Sequence, residues 1–269
     1  MSNSALATAL DVTEGTWTHG MPYLALGFGR PLVFLRWFTP DHANPTGWLR
    51  QSEIRTLAPL AAHFRVYAVN RAPGMAEGTT MADIAAEHAR AMHDEFGEPV
   101  DVLGVSSGGS LALQLAADHP AAVRRLIIAS SGYTLENAAR TAQLRYGEAA
   151  YAGKRGLHHM AGVAFKSPIA QRLAAAGMWL ADPLARPRNP ADTLAFIRAE
   201  DAFDLMGRLG DITAPTLVLG GDSDSAYSME NFRRTADGIP NSRLIIYPHT
   251  THLGVVKRFV PDVVAFLAD

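Results

Sequence analysis

The chain contains no cysteine among its 269 residues, which excludes disulfides, thiolate metal sites and a cysteine nucleophile together. It also lacks any long run of one charge. Lys plus Arg number 24 and Asp plus Glu 26, a formal net charge of −2, and no basic stripe suggests nucleic acid as a partner. No apolar run reaches the ~18 residues needed to cross a membrane. The stretch Met1 to Gly15 has neither the basic nor the apolar region of a secretory signal. His63, His88, His93 and His119 fall on expected helices or their ends and form no cluster with carboxylates that reads as a metal site. These absences lead to the expectation of a cytoplasmic protein with a small-molecule substrate, no cofactor, no metal and no nucleic-acid or membrane partner. A homodimer stays open.

What the chain does contain is 48% hydrophobic and 19% charged residues, with 23 Gly and 16 Pro, a composition typical of a globular enzyme. Short β-branched runs alternate with longer helical patterns, the signature of βαβ units and a mostly parallel sheet. Strands are expected at Met21 to Leu26 and Pro31 to Leu35, where the intervening Gly27 and Gly29 suit a tight hairpin and an antiparallel pair. Further strands are expected at Phe64 to Val69, Val100 to Val105, Arg125 to Ala129, Thr216 to Gly220 and Arg243 to Tyr247. Helices are expected over Met81 to Phe96, from Ser106 to His119, near Met229 to Asp237, and from about Pro261 onward.

Between Ser130 and Asp211 the strand signal disappears, and Ala, Leu, Arg and Met dominate with four punctuating prolines. The expected organisation is therefore a core of residues 1–132 and 211–269, with a helical cap inserted at 133–210. Within that insert His158-His159 reads as a helix end or a pocket wall. Met160, Phe165, Met178, Trp179 and Phe196 either line an apolar pocket or form the insert's own small core.

Gly104-Val105-Ser106-Ser107-Gly108 fits G-x-S-x-G between an apolar strand and a helix. The chemistry needs that context: a sharp strand–turn–helix holds the serine exposed, and the N–H groups at the helix start face developing negative charge. The alternative is a glycine turn that merely packs helix on strand. Ser106 is the expected nucleophile. Ser107 and Ser110 are competitors, with Ser107 better suited to offer a backbone N–H to an oxyanion.

With this elbow, the strand order and the motifs after the last two strands, the sequence resembles the α/β-hydrolase family over nearly all of its length outside the insert. The resemblance implies an α/β-hydrolase fold, a mostly parallel central sheet flanked by helices with a helical cap inserted between two sheet strands, and a chain order of Ser, then Asp or Glu, then His. In Pro215-Thr216-Leu217-Val218-Leu219-Gly220-Gly221-Asp222-Ser223-Asp224, the family spacing favours Asp224 as the acid, with Asp222 as competitor. In Pro248-His249-Thr250-Thr251-His252 it favours His252 over His249. Many relatives carry His-Gly after an early strand; here the corresponding segment is Arg36-Trp37-Phe38-Thr39-Pro40. Phe38, or alternatively Trp37, would then supply the second oxyanion N–H. Both rings either wall the pocket or pack in the core. Trp37, Met178 and Trp179 are the expected substrate-binding side chains. The resemblance implies a serine hydrolase of carboxylic esters or lactones acting through an acyl-enzyme. A carbon–carbon bond hydrolase, a ligand-binding protein or a cyclase on the same fold are the alternatives.

Overall fold

In the computed structural model, residues 10–165 and 167–268 are described. Their frame is an eight-stranded sheet in the order β1-β2-β4-β3-β5-β6-β7-β8. The strands are β1 (Thr13–Thr16), β2 (Pro22–Leu26), β3 (Pro31–Leu35), β4 (Arg65–Val69), β5 (Val100–Val105), β6 (Val123–Ala129), β7 (Thr216–Gly221) and β8 (Ser242–Tyr247). From β4 to β8 across the sheet every pairing is parallel, while β2 runs antiparallel to both β1 and β4. The helices are α1 (Gly47–Ala61), α2 (Met81–Phe96), α3 (Ser107–Asp118), α4 (Asn137–Tyr151), α5 (Ala161–Ala164), α6 (Pro168–Ala181), α7 (Pro190–Asp201), α8 (Met229–Gly238) and α9 (Val260–Ala268).

Strands buried on both faces favour apolar residues, and β5 is buried throughout; its one acid, Asp101, is paired with Arg124 at 2.7 Å and Arg30 at 3.1 Å. Alternate residues feed separate cores. Val33 and Leu35 join Ile84, Met92 and Leu111 on the face covered by α2 and α3. Leu32 and Phe34 join Ile54, Leu57 and Val263 on the face covered by α1 and α9. Helix α2 starts where sequence signals place it, at a capping box between Thr80 and Asp83, and stops at Gly97 with φ 67°. Pro120 opens a short 3₁₀ turn after α3.

Two early expectations are corrected. Strands β2 and β3 do not form a hairpin, because β4 lies between them and pairs with both. The hairpin is made instead by β1 and β2, β1 being a strand that the polar run Thr13–Thr16 does not announce. Gly27 serves a close approach: at φ 85°, a Cβ there would sit 2.3 Å from the carbonyl oxygens of Ala61 and Phe64. Helix α1 is the second omission. It carries Pro59 internally and little amphipathic pattern, so no periodicity marks it.

The topology also fixes where a ligand can meet the sheet. From β3 the chain moves outward to β4, then returns to β5 on the other side of β3. The loops leaving β3 and β5 therefore diverge and open a crevice at the carboxyl ends of those strands. The segment between β6 and β7 holds α4 to α7.

Candidate active site

Ser106 makes the whole turn between β5 and α3, at φ 54° and ψ −125°. A side-chain-bearing residue rarely adopts this conformation, which costs roughly 1–3 kcal/mol and persists only where its surroundings impose it. They do so here. The Ser106 N–H donates to the Ala129 carbonyl at the end of β6 (3.0 Å), and its carbonyl accepts from Gly109 N–H (2.7 Å). The flanking glycines are demanded by contact: a Cβ at Gly104 would lie 2.3 Å from the Gly108 oxygen, and one at Gly108 would lie 2.1 Å from the Leu35 oxygen. Strand and helix thus cross closer than any side chain permits.

Three side chains from distant parts of the chain meet at this turn. His252 Nε2 is 3.0 Å from Ser106 Oγ. His252 Nδ1 is 2.9 Å from Asp224 Oδ2 and 3.0 Å from Oδ1. Asp224 Oδ1 also accepts from the N–H groups of Ala226 (2.8 Å) and Tyr227 (3.1 Å), which fixes the carboxylate plane. Asp224 and His252 are buried, and Ser106 is half-buried. Asp222 is turned to its own loop instead, accepting from Ser223 Oγ at 3.0 Å and Thr250 N–H at 3.3 Å. These bonds, with one from the His249 backbone, hold its carboxyl below the usual range. His249 stands in that turn at φ 52°.

Ser107 opens α3, so its N–H has no intrahelical acceptor. Phe38 follows β3 across the crevice, and among the described residues neither N–H makes a backbone hydrogen bond. The Phe38 ring stacks on Phe196 of α7 (centroids 6.3 Å apart) and meets Tyr146 of α4 edge-on (5.8 Å). Trp37 packs edge-on against Phe34 in the opposite core. The structure does not bring Met178 and Trp179 to the three side chains by any hydrogen bond or ring contact among the described residues. Met178 is half-buried on α6, and Trp179 is stacked beside the Arg155 guanidinium at 3.8 Å. Of the insert's apolar residues Phe196 is fully buried, while Phe165 is exposed. Two surface clefts of about 590 and 500 Å³ lie elsewhere, the first beside Arg90, His93 and His119 and the second beside Glu77, Gln114 and Arg198.

Three supporting residues escaped the sequence reading. Ser130, at φ 48° just after β6, donates its hydroxyl to the His252 carbonyl at 2.9 Å. The Tyr227 ring lies nearly parallel to the His252 imidazole, 6.1 Å between centroids, with its hydroxyl 3.2 Å from Ser110 Oγ. Glu200, fully buried at the end of α7, accepts from Ser107 Oγ (2.8 Å), Ser110 Oγ (3.3 Å) and Gln143 Nε2 (3.1 Å). Burial pushes its carboxyl up from the ordinary value, against the pull of these donors and of Arg71. Arg71 is itself buried, its guanidinium 3.8 Å over the Phe196 ring, and burial lowers it to about 9. His42, to which Arg71 Nε donates at 3.1 Å, is held at about 3 by burial and by that same cation. No local pattern marks Glu200 or Arg71; their roles arise from hydrogen bonds between segments 29 to 93 residues apart in sequence.

The comparisons agree with this architecture. Residues 18–264 match the model of the alpha/beta hydrolase family, and the chain belongs to that family. RutD of Variovorax paradoxus, named as a carbamate hydrolase, is 31% identical over 183 residues, spanning 65% of this chain and 67% of its own. A pimeloyl-[acyl-carrier protein] methyl ester esterase of Nitrosomonas europaea is 23% identical, spanning 82% of this chain and 93% of its own. The enol-lactonase of Burkholderia xenovorans superposes with a TM-score of 0.70 at 19% identity, over 96% of this chain and all of its own. Family and curated relatives together support hydrolase chemistry.

Proposed function

We propose that the protein is a serine hydrolase that cleaves a carboxylic ester or lactone of small to medium size and largely apolar character through an acyl-enzyme. The observation that carries this reading is the continuous relay from Asp224 through His252 to Ser106, with links of 2.9 and 3.0 Å. His252 takes the Ser106 proton as Oγ attacks the carbonyl carbon. Asp224 fixes the Nδ1–H tautomer and stabilises the imidazolium that forms. The N–H groups of Ser107 and Phe38 receive the oxyanion; losing one such donor costs about 2.7–4 kcal/mol of transition-state stabilisation in known cases. His252 next protonates the leaving oxygen, and a water activated by the same imidazole frees the acid.

In this reading residues 133–210 are a cap over a core of 1–132 and 211–269, and the enzyme works in the cytoplasm. Among the described residues no helix is long and apolar enough to cross a membrane. A second reading, hydrolysis of a carbamate, is favoured by the identity to RutD. It uses the same attack on a carbonyl and differs in what leaves.

The test compares wild type with Ser106→Ala on p-nitrophenyl esters of two to eight acyl carbons and on a simple carbamate. Loss of the nucleophile lowers kcat by about 10⁶ in a comparable serine hydrolase. Release that vanishes in the variant supports the reading, and the preferred substrate ranks ester against carbamate. Equal rates in the two proteins would overturn it.

A further inference from the structure

Helix α6 wears its apolar side chains on the wrong face. Its half-buried positions are Ala170, Gln171, Ala174, Ala175 and Met178, mostly small, and the helix packs chiefly on the 157–160 turn and α5 of the same insert. The large aliphatic residues point outward: Ile169 is 71% exposed, Leu173 71%, Leu180 70%, and Leu184 just beyond the helix 94%. The spacing 169, 173 and 180 aligns three of them in one stripe, since residues four and seven apart share a helix face, and Leu184 follows on the 3₁₀ turn Asp182–Leu184. Trp179 and Phe165 flank the stripe, 47% and 41% exposed. An ordinary surface helix buries such a stripe, and a soluble monomer seldom leaves one uncovered without a use for it.

The charge around the stripe decides what covers it. Residues 151–191 contain six Lys and Arg and a single acid, Asp182, a net +5 in a chain whose total is −2. The remaining residues therefore carry −7. Asp182 is buried and bonded to the Gly156 and Leu157 N–H groups and to Arg186. Lys154, Arg172, Arg186 and Arg188 of this segment are exposed, Arg186 paired with Asp182 and Arg188 with Asp41. Two copies meeting through this face would bring like charges together. A protein partner would need pockets for four protruding aliphatic side chains, whereas a fluid lipid layer admits them in any arrangement.

We propose that this face of the insert docks on an anionic phospholipid surface, with Ile169, Leu173, Leu180 and Leu184 entering the headgroup–acyl boundary and the surrounding cations meeting lipid phosphates. Aliphatic and aromatic residues on one face of a helix, framed by Lys and Arg, are what interfacial anchoring requires. The Trp179 ring, 47% exposed and stacked under the Arg155 guanidinium at 3.8 Å, is of the type that favours a membrane boundary. The anionic cytoplasmic leaflet is the matching surface. The inference is independent of the hydrolytic reading.

Sedimentation of the full chain with lipid vesicles tests it. The protein should pellet with mixed phosphatidylcholine–phosphatidylglycerol vesicles, remain in solution with phosphatidylcholine alone, and be released as salt screens the charges. Leu173→Glu with Leu180→Glu, and separately Lys154→Glu with Arg172→Glu, should each weaken the partition by about tenfold or more. All four sites are solvent-exposed, so the fold should survive, and far-UV circular dichroism checks that it does. Absence of binding to the anionic vesicles overturns the proposal, as does binding that neither pair of changes affects. A wild-type dimer in light scattering that the leucine pair dissociates, without vesicle binding, assigns the stripe to a second copy and overturns it equally.

Discussion

Helices α6 and α7 lie in the same insert, are of similar length and are both opened by proline and rich in alanine, yet the fold treats them in opposite ways. Eight of the twelve residues of α7 are buried, whereas α6 has no buried residue. Helix α7 is fastened to every loop of the crevice. Asp192 accepts from the Gly74 and Met75 N–H groups after β4, both at 2.9 Å, and Thr193 donates to the Pro40 carbonyl after β3 at 2.7 Å. Glu200 grips the first turn of α3 behind the nucleophile. Helix α6 makes no comparable bond to the sheet domain among the described residues, and it packs chiefly on the 157–160 turn and α5 of the insert. One half of the insert thus belongs mechanically to the active-site core, and the other half is presented to the surroundings. Insert membership in the sequence says little about role; the number of anchored polar groups says much more.

The comparison is broken most severely at Phe196. This ring is fully buried between the Arg71 guanidinium and the Phe38 ring. Phe196→Ala should lower unfolding free energy by about 3–5 kcal/mol in urea titration. It should also reduce turnover, because the Phe38 loop loses its stacking partner. A change under 1 kcal/mol would mean that α7 is not part of the core.

Glu200 sharpens the comparison at the next level. Glu200→Ala leaves two serine hydroxyls and the Gln143 amide without their acceptor, at a cost of roughly 1–3 kcal/mol. Glu200→Gln keeps an acceptor oxygen and has no charge to bury, so it should retain most of the stability and the activity. If Ser107 needs this anchor to present its N–H, the alanine variant should lose kcat with little change in KM, and glutamine should restore it. Equal behaviour of the two variants would remove Glu200 from the oxyanion support. The smallest effect is expected on the outer helix: Leu184→Ser, at a side chain 94% exposed, should move stability by no more than about 0.5 kcal/mol in the same titration.

The legible parts of the molecule are those with local signals. Mostly apolar runs mark β5 and β7, and the Thr80–Asp83 cap with Gly97 brackets α2. Ser106 is legible because an elbow between strand and helix admits only small residues beside the serine, as the clashes at Gly104 and Gly108 demonstrate. Asp224 and His252 could be ranked above Asp222 and His249 by family spacing, and it is Asp224 and His252 that lie within hydrogen-bonding reach of each other. Strand β1 and helix α1 were not legible, since a polar four-residue edge strand and a helix holding Pro59 carry no period of their own. Pairing failed at β2 and β3 for a related reason: glycines between two apolar runs specify a turn, while the choice of neighbour is made by β4, some 30 residues on.

By itself, then, the sequence determined the class of the fold, the strand–turn–helix that carries Ser106 and the absence of cysteine chemistry, because alternating apolar runs, helical periods and a glycine-flanked turn are written in local patterns along the chain. The tertiary structure put Asp224, the acid that family spacing favours, against His252, and it alone decided that α7 is bolted to the crevice while α6 is not, and that Glu200 and Arg71 lie buried, with Glu200 bonded to the residue after Ser106. Those outcomes depend on contacts between residues some thirty to more than ninety positions apart, where burial and hydrogen bonding are settled only once the whole sheet has assembled.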